Sequence, residues 1–186
     1  MRGSNDTPSA RQRLASVVLT VIGPDRPGIV ELLSTTIAAH GGNWEQSRMA
    51  RLAGQFAGMV HVTAAQDDVN ALHRALDGLA SSGLRVVSTA SARSERGPLR
   101  AYRLSLVGDD REGIVRDISR ALSAREINVE ELDTRCESAP MSAEQLFHAS
   151  ALLHVPPNIE IAELRKTLEA LADDLMVELK LVAEDR

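Results

Sequence analysis

Residues 19–45 recur 85 positions further along the chain, and this repeat restricts the fold more than any other feature of the sequence. Leu19, Gly23, Asp25, Arg26, Gly28, Ile29 and Val30 fall without gaps on Leu104, Gly108, Asp110, Arg111, Gly113, Ile114 and Val115. Ser34, Ala39, Asn43 and Glu45 then meet Ser119, Ala124, Asn128 and Glu130. Average residue usage would give roughly two coincidences in such a window. The chain is therefore an internal duplication, and one unit of structure has to serve twice.

Each copy reads as the same series of elements. Ser16 to Ile22 is a short β-branched run suited to a buried strand, and Gly23 to Gly28 breaks it. Ile29, Val30, Leu33 and Ile37 follow at helical spacing until Gly41-Gly42. Trp44 to Leu52 and Phe56 to Thr63 read as a hairpin across Ala53-Gly54-Gln55. Val69, Leu72, Leu76 and Leu79 stripe a second helix stopped at Gly83, and Leu84 to Thr89 is a last strand. In the second copy the strands are Tyr102 to Val107, Val129 to Cys136, Leu146 to Val155 and the alternating run from Leu175 to Leu181. Helix stripes fall on Ile114, Val115, Ile118 and Leu122, and on Ile161, Leu164, Leu168 and Leu171. A longer turn, Glu137 to Glu144, joins the middle strands, and Pro156-Pro157 ends the third. The order is β-α-β-β-α-β twice. With right-handed crossovers this gives an α+β fold of two ferredoxin-like sandwiches, each an antiparallel sheet with both helices on one face. The expected layout is a disordered tail over 1–14, one domain over 15–91, a polar linker over 92–100 and a second domain over 101–184.

Composition removes several functions. A net charge of −5 opposes a general nucleic-acid binder. The aromatics are Trp44, Phe56, Tyr102 and Phe147 alone, too few for an RNA-stacking sheet on the same fold. Cys136 is the only cysteine, so no intrachain disulfide forms and a reducing, cytoplasmic setting is expected. No apolar run nears the roughly 20 residues of a membrane span, and the N-terminus lacks a signal peptide's apolar segment. The five histidines show no zinc-like spacing. No phosphate-binding or nucleophile-elbow motif occurs, so neither metal, cofactor nor catalytic residue is expected.

The repeated loop is where function is sought. Asp25-Arg26-Pro27-Gly28-Ile29-Val30 and Asp110-Arg111-Glu112-Gly113-Ile114-Val115 each stand between the first strand and first helix. Unpaired N–H groups at a helix N-terminus suit a carboxylate, and glycine permits close approach. Pro27 is suited to presetting the first helical turn. Two readings stay open for Asp25 and Asp110: ligand contacts, or helix caps worth about 1 kcal/mol each.

The Asp-Arg-Pro-Gly-Ile-Val loop, followed by a helix, Gly-Gly-Asn and a hairpin, resembles the ACT domain, a regulatory module that commonly binds amino acids. The tandem layout over residues 15–184, with Ala139-Pro140-Met141-Ser142 before Leu146-Phe147-His148, resembles the glycine cleavage repressor family. That resemblance implies an amino acid ligand such as glycine, and control of transcription through a regulatory protein partner without direct contact to nucleic acid. Tandem ACT pairs also occur inside larger enzymes; a chain stopping after the second copy leads us to expect a free-standing regulator. The second loop departs from the pattern, because Glu112 replaces the proline and adds negative charge.

Asn43 and Asn128 begin the strand after the first helix, which the crossover places at the sheet end remote from the loop of their own copy, roughly 20 Å away. If the copies pack about a pseudo-two-fold axis, as ACT pairs often do, Asn43 faces the Asp110 loop and Asn128 the Asp25 loop. Expected ligand contacts are thus Asp25, Arg26, Pro27, Gly28, Ile29 and Asn43, with Asp110, Arg111, Gly113, Ile114 and Asn128. Exposed edge strands lead us to expect a homo-oligomer. The rival expectation is a protein-interaction module without a small ligand.

Overall fold

The computed structural model describes residues 13–91, 99–138 and 145–184. The chain divides into two compact units, each organised as βαββαβ. The first comprises β1 (Leu14–Pro24), α1 (Ile29–Ala39), β2 (Asn43–Leu52), β3 (Gln55–Ala65), α2 (Val69–Asp77) and β4 (Arg85–Ala90). The second comprises β5 (Arg100–Asp109), α3 (Ile114–Ser123), β6 (Asn128–Ser138), β7 (Gln145–Val155), α4 (Ile161–Leu175) and β8 (Val177–Ala183). Both sheets are antiparallel, with strand orders β2-β3-β1-β4 and β6-β7-β5-β8. These are tandem ferredoxin-like sandwiches.

Strand alternation and helical periodicity meet in one core per unit. In the first, Val17, Leu19 and Val21 of β1 pack with Ile29, Leu33 and Ile37 of α1 and with Leu72 and Leu76 of α2. In the second, Leu104 and Leu106 meet Ile114, Ile118 and Leu122 of α3 and Leu164 and Leu168 of α4. Each fully buried leucine or isoleucine contributes about 1.5–3 kcal/mol relative to exposure.

The elements depart from the sequence reading mainly at their ends. β1 runs through Gly23 and Pro24, which pair with Phe56 and Gln55 instead of breaking the strand. A Cβ on Gly23 would lie 2.6 Å from the Gly83 carbonyl oxygen, so its glycine admits a neighbouring turn and does not create one. Leu14, expected in the tail, opens β1, and Arg100, expected in the linker, opens β5. The hairpin turn is two residues, Ala53 and Gly54, both at positive φ, the geometry that matches strand twist and sets Gln55 back into β3. α2 stops at Asp77, and a 3-10 segment, Gly78–Ser82, carries the chain to Gly83. Glu137 and Ser138, expected in the long turn, extend β6; residues 139–144 of that turn, like residues 1–12 of the tail, lie outside the described residues.

One irregularity recurs at the same place in both copies. The ladder of β2 on β3 shifts between Trp44 and Gln46, and that of β6 on β7 between Val129 and Glu131. Glu45 and Glu130 are the extra residues of these bulges. A bulge re-aims a side chain, and here both carry a carboxylate beside the repeated asparagine.

Candidate functional site

Each repeated loop is anchored at its two ends. The Asp25 N–H donates to the Gly54 carbonyl (2.9 Å) and the Asp110 N–H to the Gln145 carbonyl (2.9 Å), tying both loops to the neighbouring hairpin. The Arg26 guanidinium donates to the Ser82 carbonyl at 3.1 Å, and the Arg111 guanidinium reaches the Met176 sulfur at 3.6 Å. Both arginines thus fasten the loop to the chain following the second helix.

The helices begin at Ile29 and Ile114, with Gly28 and Gly113 as left-handed N-cap residues at φ 88° and 97°. No side chain caps either helix. Asp25 and Asp110 are therefore not caps, and Pro27 precedes the N-cap instead of entering the first turn. Ile29 and Ile114 are 2% exposed each and turn their side chains into the core. What they offer a ligand is backbone.

Past these shared features the loops diverge. Asp25 accepts an ion pair from the Arg51 guanidinium, Nε to Oδ2 3.0 Å. Arg51 stands on β2 opposite Phe56, and its counterpart on β6, opposite Phe147, is Cys136. Asp110 therefore meets a thiol where Asp25 meets a cation. Local desolvation raises the Cys136 thiol above its ordinary value, and the charge and hydrogen bond of Asp110 raise it further. A Cβ on Gly28 would meet nothing within 4 Å, leaving the approach to its backbone open. The same position on Gly113 lies 2.7 Å from the Arg116 guanidinium. Arg116 is held there by a bidentate pair with Asp117 (2.8 and 3.0 Å), which keeps the Asp117 carboxyl below its usual range. Asp25 and Arg26 leave the first loop neutral, with Arg51 of β2 beside it; Asp110, Arg111 and Glu112 leave the second net negative.

The asparagines lie elsewhere. Asn43 pairs with Thr63, which in turn pairs with Ser16 of β1, eight residues from Pro24. At about 3.3 Å per residue the separation from the loop of the same unit is roughly 26 Å. Asn128 pairs with His154, opposite Ala101, at the equivalent remote end of its own sheet. Each asparagine donates to its bulge carboxylate, Asn43 to Glu45 at 2.7 Å and Asn128 to Glu130 at 3.4 Å. Hydrogen bonds from Thr63 first and Asn43 second hold the Glu45 carboxyl below its usual range. His154 Nδ1 lies 3.3 Å from Glu130.

Sequence reasoning missed Arg51, Cys136 and the bulge glutamates as parts of these surroundings. Glu45 and Glu130 matched in the repeat, which was a usable signal. Arg51 and Cys136 differ between copies and gave none. Among the described residues no cluster of three or more potential metal ligands occurs, and no helix is long and apolar enough to cross a membrane.

The ACT family model matches residues 15–86, the first domain, and the second domain repeats its sandwich and its glycine-bearing loop. Over 161 residues, 86% of this chain and 85% of the relative, it is 23% identical to the glycine cleavage system transcriptional repressor of Escherichia coli K12. Among solved structures, a protein of unknown function from Galdieria sulphuraria superimposes with a TM-score of 0.84 at 30% identity, over 93% of this chain and all of that one. A candidate glycine cleavage system transcriptional repressor matches with a TM-score of 0.70 at 19% identity, over 93% of this chain and 99% of that one. The first domain thus matches the ACT family, and the chain is similar over most of its length to a glycine cleavage system transcriptional repressor.

Proposed function

We propose that the chain is a non-enzymatic cytoplasmic regulator whose first domain binds a small amino acid through Asp25–Gly28 and the first turn of α1. Binding then alters how the protein engages a transcriptional regulator, without contact to nucleic acid. The observation that carries this reading is the contrast at the two glycines: Gly28 opens onto free space, whereas Gly113 is covered by Arg116. A carboxylate at Gly28 would meet uncapped N–H groups of α1. The Asp25–Arg51 pair would hold the loop's charge in place while Arg26 braces it. Glycine is the first ligand to try, because the similar Escherichia coli protein is a glycine cleavage system repressor.

Thermal unfolding against a panel of the twenty amino acids tests this. A ligand at about 100 times its dissociation constant stabilises the fold by about 2.7 kcal/mol, a rise of several degrees. We expect a rise with one or a few small amino acids, lost in Gly28→Val when each protein is measured against its own baseline. No rise with any of them refutes the sensor and leaves the interaction module. Arg116 covers Gly113, so the proposed sensing rests on the first domain.

A further inference from the structure

In the second domain α3 does not close fully on the sheet. A cavity of about 100 Å³ lies between the helix and β6, walled by Leu106, Ile118, Leu122, Val129 and Phe147 among others. Ser119 is the one polar residue on its lining, and Val115 and Leu132 beside it are 42% and 51% exposed. The repeat explains the space. Val129 precedes the β6 bulge where Trp44 precedes the β2 bulge, and Trp44 lays its indole on the core of the first domain. An isopropyl group at that position leaves the indole's volume unfilled.

Such a space is a poor home for water, which needs two to four polar partners. Atoms lining it lack dispersion contacts that an apolar occupant would restore. Charge selects further. The loop entering α3 carries Asp110 and Glu112 against Arg111 alone, and the neighbouring Arg116 is engaged by Asp117. A carboxylate therefore approaches a net negative loop.

We propose that this cavity is a second binding site, for a small neutral molecule bearing a branched aliphatic group or a single ring. An engineered apolar cavity of roughly 150 Å³ takes benzene; this one is smaller, at about 100 Å³, so it would hold the apolar group and leave the rest of the molecule at its open side, by Val115 and Leu132. The site is independent of the amino acid site proposed at Gly28.

Methyl-resolved NMR of the full chain, titrated separately with isobutanol, benzene and L-leucine, tests it. Isobutanol or benzene is expected to shift the methyls of Ile114, Ile118 and Val129 while those of Ile29 and Ile37 stay in place. L-leucine, carrying a carboxylate, is expected to move none of them. Val129→Trp should abolish the shifts; Val129→Phe serves the same purpose where circular dichroism finds the tryptophan variant unfolded. No localised shift in the wild type, an equal response to L-leucine, or shifts that survive in the folded filled variant would each overturn the proposal.

Discussion

Two glycines of the first domain should fail for opposite reasons when given a methyl group. Gly28 sits at φ 88°, and a Cβ there meets no atom within 4 Å. The cost of Gly28→Ala is then conformational alone, about 1–2 kcal/mol for an L-residue held left-handed. For a domain of this size that lowers the melting temperature by about 4–8 °C per kcal/mol. Gly28→Asn should cost clearly less, because asparagine tolerates this region. Gly23 carries no positive φ, yet its Cβ would lie 2.6 Å from the Gly83 carbonyl oxygen and 2.8 Å from the Leu84 side chain. A backbone oxygen cannot swing away, so β1 and the turn before β4 must part, and Gly23→Ala should cost more than Gly28→Ala. Trp44 is the chain's only tryptophan and lies in this domain, so its fluorescence follows the relevant unfolding during a thermal ramp. Gly28→Asn as damaging as Gly28→Ala, or a harmless Gly23→Ala, would refute the reasoning.

Three further outcomes are expected. The Glu45 carboxyl, watched by NMR, should titrate below its ordinary value near 4.5, and Thr63→Val should raise it more than Asn43→Ala. Because its folded value is depressed, the small stability it lends is present above that ordinary value and disappears as pH falls through the folded one. Cys136 should react slowly with thiol reagents at pH 8, and Asp110→Asn should speed the reaction by lowering the thiol's pKa; an unchanged rate would show that Asp110 does not act on it. Asn128→Ala should leave amino acid binding at the first loop unchanged in calorimetry, because the proposed site lies within the first domain; weakened binding would contradict that.

The fold was readable because the repeat and the two hydrophobic periods agree. Leu19 and Leu104, or Ile29 and Ile114, announce the same unit twice, and alternation separates β1 from α1 without reference to contacts. Strand ends were misread where local and tertiary rules conflict. Gly23-Pro24 is a breaker by composition, but pairing with Phe56 and Gln55 keeps it in the sheet, and its glycine answers a contact with residue 83, sixty positions away. Asp25 read equally well as a cap or a ligand contact, since nothing local reveals Arg51 across the hairpin. The difference between the loops was half visible. Glu112 announced added negative charge, whereas Arg116 lying over Gly113 needed coordinates.

Amide NMR of the labelled chain titrated with glycine, and then with each other amino acid that raises the melting temperature, tests the central claim most directly. The account predicts saturable shifts of the backbone N–H signals of Gly28 through Glu31, with those of Gly113 through Arg116 unmoved. Saturation at the second loop alone, or no amide shift at either loop with any amino acid, would contradict it.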